Sequence, residues 1–473
     1  MRRFRQEGVM VFKQFYLESL GHASYFVGSE ETGEALVLDV RRDVELYFEE
    51  ARARGMRLRY AVDTHQHNDY VSGICELPAR GDVQLLASAR AALEYPVQKL
   101  DDGARLRMGE VEFEILHTPG HTPEHISLLV YDRSRGEEPV ILLSGGALLV
   151  DDVARPDLLG GREAAERGAR DLCRTLQEKI LKLPDHVAVY PTHVSGSLCG
   201  GHIGSMLWTT IGYERRMNGL LAGLERPEEF VERCLALEEL PTVPPYWPRM
   251  RRLNVEGPPL LGVLREPPAL SASEFDRERG RDGVYVVDCR SPEAYAAHIP
   301  GSLNVGAEGS FSTWAGTVLP DGARTLLVLE RPGMLWDLCR QLLRIGYDLP
   351  RGWLAGGMNA WRTSGKPIDT LPLWSVHELR RQIERDRKLL VLDVRQPTEW
   401  RAGRIQGALH ISGGGLPARL REVPRDRPIA VVCGSGYRAS VAASLLQKHG
   451  YTQVANVLGG MAAWRAAGYP VVQ

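Results

Sequence analysis

Apolar positions in this chain come largely as short unbroken runs that stop at polar or Gly-rich turns. Pro428-Ile429-Ala430-Val431-Val432 is the clearest of them. A run without alternation belongs to a strand covered on both faces, as in a parallel sheet. It predicts a strand ending at Cys433, a loop Gly434-Ser435-Gly436-Tyr437-Arg438, and a helix from Ala439 to His449. Tyr60–Asp63, Glu112–Leu116 and Val187–Tyr190 read as further strands, each leading into histidines, and Val9–Tyr16 reads as the start of a first strand.

The pattern repeats. Val287-Asp288-Cys289-Arg290 matches Leu392-Asp393-Val394-Arg395 at an offset of 105, and Gly356-Gly357-Met358-Asn359-Ala360-Trp361 matches Gly459-Gly460-Met461-Ala462-Ala463-Trp464 at 103. His298–Leu303 matches Arg404–Leu409 between them. Ordered matches with so little drift mark a duplicated domain. Counting back from Gly346-Tyr347 and Gly450-Tyr451 puts Leu329 where Cys433 stands, with Glu330-Arg331-Pro332-Gly333-Met334 replacing the loop. Leucine cannot carry sulfur, so the first copy is expected to be catalytically dead. Cys289 and Cys339 are expected in the core.

At the end of a buried strand, Cys433 is placed to meet backbone N–H groups and a helix N-terminus, both of which favour a thiolate. Arg438 is expected to add a fixed cation. A buried structural cysteine is the plain alternative, and the surrounding Gly434, Gly436 and Arg438 argue against it. This Cys-x4-Arg loop, with Leu392–Arg395, Ile405–Ala408 and Leu458–Trp464, resembles rhodanese sulfurtransferases. That resemblance implies a persulfide on Cys433, with Arg438 and the loop Gly434, Ser435, Gly436 and Tyr437 stabilising it. The related phosphatases have a loop one residue longer.

The chain has 473 residues, net charge −2, and seven scattered cysteines (75, 173, 199, 234, 289, 339, 433). This size suggests about three domains. The charge gives no reason to expect nucleic acid or a membrane surface. Unpaired cysteines point to a reducing cytoplasm. Basic residues open Met1–Arg5 without a signal-peptide core behind them, and Met10 stands as an alternative start. Leu240–Leu270 holds eight prolines and reads as a linker without regular structure, its Leu260–Leu264 stretch packing on a neighbouring domain. The expected domains are 1–255, 256–370 and 371–473, with the second boundary near Asp369–Pro372 and a helix from Ser375.

Three histidine clusters follow strands: His65-Gln66-His67-Asn68-Asp69-Tyr70, His117–His125 with His121 inside it, and His193. Their spacing describes a first-row metal site. They resemble the metallo-β-lactamase fold, an αββα sandwich. Leu20–Tyr25, Arg155–Leu158 and Ser197–Gly200 resemble its persulfide dioxygenase branch, in which two histidines and one aspartate hold Fe(II). On that resemblance the ligands fall on His65, His121 and Gly146, and Tyr70 stands in place of a histidine. Glycine has no donor.

The remaining set is His65, His67 and His121, expected to hold at most one Zn(II) or Fe(II), weakly or not at all. Asp69 and His193 stand as a second-site pair. Asp151 is a remote substitute carboxylate, and Gly146→Asp is expected to raise iron occupancy. His117 and His125 are read as structural, and Cys199 as a loop residue packed near the metal cavity. The whole implies a multidomain α/β enzyme of sulfane-sulfur metabolism, an N-terminal αββα sandwich followed by two rhodanese-like domains with parallel sheets. Its small partners would be a thiol persulfide, thiosulfate or sulfite. A homo-oligomer is left open. The alternatives are zinc-dependent thioester hydrolysis, as in glyoxalase-type relatives, and a non-catalytic N-terminal scaffold.

Overall fold

A computed structural model describes residues 10–236 and 240–473, so the basic opening segment lies outside the described residues. The chain forms two compact units. One comprises Met1–Leu240 with Trp247–Gly262, the other Pro241–Tyr246 with Val263–Gln473.

The first unit is the expected αββα sandwich. One six-stranded sheet takes the strands Met10–Leu17, His22–Ser29, Glu34–Leu38, Arg57–Val62, Gln84–Ser88 and Gln98–Leu100 in chain order. The facing sheet runs Thr209–Thr210, Ala188–Pro191, Ile141–Gly145, Ile126–Asp132, Val111–His117 and Arg105–Met108. Tyr25, Val27, Leu38 and Val62 meet Phe113, Ile115, Leu128 and Leu143 between them. The helix Glu45–Ala53 covers the outside of one sheet through Tyr47 and Ala51, and Arg162–Glu178 covers the other through Ala169, Leu172 and Leu176. The histidine clusters follow strand ends, where chain leaving the sheet frees its side chains from the core.

The linker reading is corrected. Trp247–Glu256 is a helix in spite of the prolines around it. Pro248 falls in its first turn, where a missing N–H costs nothing, and Pro258 lies beyond its end. Leu260 and Val263 are 55% and 88% exposed, while Leu261 and Leu264 are half-buried and the Leu261 amide donates to Glu76 Oε1 at 2.8 Å.

The second unit contains two five-stranded parallel sheets of identical order. In the first copy the strands run Ala269–Leu270, Gly352–Leu354, Arg324–Val328, Val284–Asp288, Leu303–Asn304; in the second, Leu373–Trp374, Val454–Val457, Ile429–Val432, Leu390–Asp393, Leu409–His410. The duplication extends to side chains. Asp288–Arg290 and Asp393–Arg395 form ion pairs at 2.6 Å in both copies. Trp361 and Trp464 donate from Nε1 to the carbonyls of Pro367 and Pro470. Ser375 caps the helix Val376–Arg385. Cys289 and Cys339 are buried, as expected, and all seven cysteines are free.

Leu329 directly follows the central strand of the first copy and is 5% exposed. Leu329→Ala should therefore cost about 2–4 kcal/mol by leaving a cavity, read as a lower denaturation midpoint. Sulfur transfer at Cys433 should remain within about twofold of the parent if the first copy is only structural, since no group that could hold sulfur is removed. A well-folded variant with transfer largely lost would assign the first copy a part in substrate handling.

The two copies interlock through the helix Tyr437–Lys448 that follows Cys433. Ser444 Oγ accepts from the Asn304 amide at 2.9 Å, and Ser440 Oγ donates to Asn304 Oδ1 at 2.5 Å. Asn304 Nδ2 donates to the carbonyls of Asp288 and Arg290, both at 3.0 Å. Tyr437 Oη donates to the Gly306 carbonyl at 2.8 Å. One residue of the first copy thus ties its own strand end to the helix that follows Cys433.

Candidate functional site

The cysteine site begins with the strand Ile429–Val432, whose residues are all buried. Cys433 is fully enclosed, and its Sγ accepts a hydrogen bond from the Gly436 amide at 3.0 Å. The loop's carbonyls point the other way. Those of Cys433, Gly434 and Ser435 accept from the amides of Met461, Ala462 and Gly459 at 2.8, 3.0 and 2.9 Å. The free N–H groups at the start of the helix Gly460–Ala466 thus find partners in the loop. This close approach is why a glycine stands at 460. Gly460 has φ +48°, and a Cβ on it would run into the Cys433 carbonyl.

Arg438 is not the bare cation expected. Its guanidinium forks onto Glu399 at 2.6 and 2.7 Å. Burial opposes its charge, and Glu399, then Cys433, hold its pKa above the ordinary value. Glu399 is held below the usual carboxylate range against its own desolvation, chiefly by Arg438. A sulfur anion on Cys433 would therefore share Arg438 with a carboxylate already in place. Glu399 was missed in the sequence. Its signal was the pattern Gln396-Pro397-Thr398-Glu399, a capping box opening a short helix.

The histidine site lies in the first unit. His65, His121 and His193 are buried, and one nitrogen from each lies within 4.8 Å of those of the other two. The expected grouping differed. His67 turns Nε2 to Asp39 Oδ1 at 3.1 Å and leaves Nδ1 without a hydrogen-bond partner. Asp69 and His193 are adjacent, with Oδ2 and Nδ1 at 3.6 Å, and Cys199 joins them within 4.8 Å. Burial, then the surrounding imidazoles, pushes His65 and His193 well below their ordinary pKa. Burial takes His121 down to about 4. His67 goes the other way: burial opposes its charge, yet Asp39, Asp63 and Asp69 raise it. Burial drives the Cys199 thiol far up, which disfavours the thiolate.

Asp39 organises this loop and was not anticipated. It sits just past the strand Glu34–Leu38 at φ +53°, fully buried. Its carboxylate accepts from the Thr64 amide at 2.6 Å, Thr64 Oγ1 at 2.9 Å, His67 and Thr192. Asn254, on the helix first read as linker, donates to the carbonyls of His67 and Tyr70 at 2.9 and 2.8 Å and accepts from the Ser72 amide at 2.9 Å. Neither residue has a local motif. Each matters because distant segments meet there.

His125 and His117 take the places expected of them. His125 bonds Thr118 Oγ1 at 2.8 Å and accepts from the Gly146 amide at 2.7 Å, and His117 Nε2 bonds the Pro123 carbonyl at 2.9 Å. Tyr70 is buried, with Oη donating to the Asp39 carbonyl at 3.1 Å. Asp151 supplies no rescue, since its carboxylate faces Gly204 and Tyr213. The expectation for Gly146→Asp also changes. A Cβ at this position would lie 2.7 Å from His121 Cδ2 and 3.3 Å from the Ala154 methyl, so an added carboxylate must displace a candidate ligand.

Comparison with known proteins adds the following. The rhodanese-like domain family model matches residues 271–364 and 375–467. A sulfurtransferase of Allochromatium vinosum is 38% identical over 84 residues, 18% of this chain and 78% of that protein. Persulfide dioxygenase ETHE1, mitochondrial, of Homo sapiens is 31% identical over 180 residues. That match takes in 36% of this chain and spans 63% of the relative's length. The crystal structure of a metallo-beta-lactamase from Staphylococcus aureus superposes with a TM-score of 0.64 at 28% identity, covering 73% of this chain and 99% of that one. Among the described residues no helix is long and apolar enough to cross a membrane.

Proposed function

This chain belongs to the rhodanese-like family, and from that premise we propose that its second copy is a sulfurtransferase with Cys433 as sulfur carrier. The observation that carries the reading is the Cys433 sulfur held by the Gly436 amide beside the Arg438–Glu399 pair, in the copy that keeps a cysteine. The Cys433 thiolate attacks the outer sulfur of thiosulfate or a thiol persulfide. The old S–S bond breaks, and sulfite or the thiolate leaves with the electron pair. A thiolate or sulfite acceptor then takes the outer sulfur and restores the Cys433 thiolate. We place this domain at 371–473, the silent copy at 256–370 and the metal-binding domain at 1–255.

For the first unit we propose a metal-dependent domain acting on a low-molecular-weight thiol persulfide. Buried imidazole nitrogens without partners fit a divalent cation, Fe(II) or Zn(II). When bound, iron would supply dioxygen activation, and zinc a hydroxide. Because Gly146 supplies no carboxylate, a three-imidazole Zn(II) site that cleaves a thioester is the second reading. Under the first reading the domains combine chemically, because sulfite is a sulfur acceptor from Cys433.

The test is direct. Protein incubated with thiosulfate and digested without reductant should show one added sulfur on the Cys433 peptide, removed again by sulfite. Sulfur found on another cysteine, or on none, would reject the assignment.

A further inference from the structure

Two imidazoles of the first unit have tautomers dictated by their outer hydrogen bonds, and a third is turned to meet them. Thr64 Oγ1 has one proton, and it goes to Asp39 Oδ2 at 2.9 Å, because an ionised carboxylate only accepts. Toward His65 Nδ1, also at 2.9 Å, the hydroxyl must then accept, so His65 keeps its proton on Nδ1 and a lone pair on Nε2. His121 Nδ1 lies 2.9 Å from the Arg155 carbonyl, again an acceptor, which leaves the lone pair on its Nε2. His193 Nδ1 faces Asp69 Oδ2 at 3.6 Å and Ser197 Oγ at 3.5 Å, which turns its Nε2 toward the other two rings.

The consequence is geometric. Nε2 of His65 and Nε2 of His193 oppose each other at 3.3 Å, with the His65 lone pair in the gap. Nε2 of His121 is buried without a hydrogen-bond partner. A cation among these three converging nitrogens would bond each of them through its lone pair. With metal–nitrogen bonds of 2.0–2.1 Å, the corners of a tetrahedron lie about 3.3 Å apart. The carboxylate position offers no competing donor, because Gly146 has no side chain and the His121 ring closes over it.

We infer that one divalent cation binds on His65, His121 and His193, with His193 taking the coordination place left without a carboxylate at position 146 and Asp69 holding His193 from behind. The inference rests on the reading that the first unit binds a metal. A carboxylate behind a ligating imidazole orients it and raises its basicity. Three neutral donors leave both charges of the ion uncompensated, so the fourth position selects an anion: thiolate, persulfide or hydroxide.

Metal-free protein titrated with Zn²⁺ or Fe²⁺ against a competing chelator, with elemental analysis, tests this on the full chain. One ion per chain is expected. His193→Ala should weaken binding by roughly 100-fold and Asp69→Asn by roughly tenfold, while His67→Ala should change it by less than about threefold. Gly146→Asp should weaken binding by displacing His121. Nitrogen NMR of histidine-labelled, zinc-loaded parent protein gives the same answer without a variant: the perturbed atoms should be Nε2 of His65, His121 and His193. Loss with His67→Ala but not His193→Ala, or a perturbed His67 Nδ1 in place of His193 Nε2, would overturn the ligand set alone. So would tighter binding by Gly146→Asp, or two ions per chain. No ion bound by the parent would overturn the metal reading itself.

Discussion

Cys433→Ser should take sulfur transfer from thiosulfate to cyanide or a thiol down to background, a loss of ~10³-fold or more. A serine hydroxyl cannot hold a sulfane sulfur, so no weaker version of the same route remains. The fold should survive. Serine is smaller than cysteine, and its Oγ can still accept from the Gly436 amide that now reaches Sγ at 3.0 Å. Thermal unfolding should therefore move by no more than about 4 °C. The other six cysteines offer no replacement. Burial raises the thiols of Cys289, Cys339 and Cys199, with Cys339 and Cys75 pushed up to about 12, the latter also by Asp63 and Glu76. Transfer near the parent rate in the serine variant would remove Cys433 from the reaction.

Gly460→Ala should both destabilise the second copy, by about 2–4 kcal/mol, and cut transfer by ~10²-fold. Two costs combine. The residue sits at φ +48°, where an L side chain is disfavoured, and its new methyl would meet the Cys433 carbonyl oxygen. Relief requires the loop or the helix Gly460–Ala466 to move, and either shifts the sulfur relative to the Gly436 amide. The first copy supplies the control. Gly357 has φ +56°, but the nearest atom to a Cβ there is the Leu329 carbonyl oxygen at 3.8 Å. Gly357→Ala should thus cost only about 1–2 kcal/mol of backbone strain and leave transfer near the parent value. Comparable activity losses in the two variants would mean that the tight approach at Cys433 has no catalytic part.

The comparison between these two glycines also shows how far sequence reading reaches. Their motifs look alike, Gly-Gly-Met followed by Ala-Trp, and the duplication was legible from that alone. The unequal distances behind them were not, because they depend on how close one helix comes to a loop twenty-seven residues earlier in one copy. Arg438 is a similar case. Its place in the Cys-x4-Arg loop was plain, and its partner Glu399 was hidden in a different element. The helix Trp247–Glu256 was hidden by its own prolines, which count against a helix in composition and are harmless at its ends.

The sequence by itself determined the local matters: buried strands from unbroken apolar runs, the repeat from its offsets, the place of Cys433 at a strand end, and histidines at strand ends. These depend on residues close in the chain, so pattern suffices. Tertiary structure alone decided which nitrogens converge. His67, two residues from His65, is drawn away by Asp39, whereas His193, far along the chain, arrives opposite His65 at 3.3 Å. Which nitrogens meet is decided by side-chain orientation, set by hydrogen bonds to Thr64 Oγ1 and the Arg155 carbonyl and by Asp69 3.6 Å from His193, partners that separate strands bring together only once the two sheets have packed.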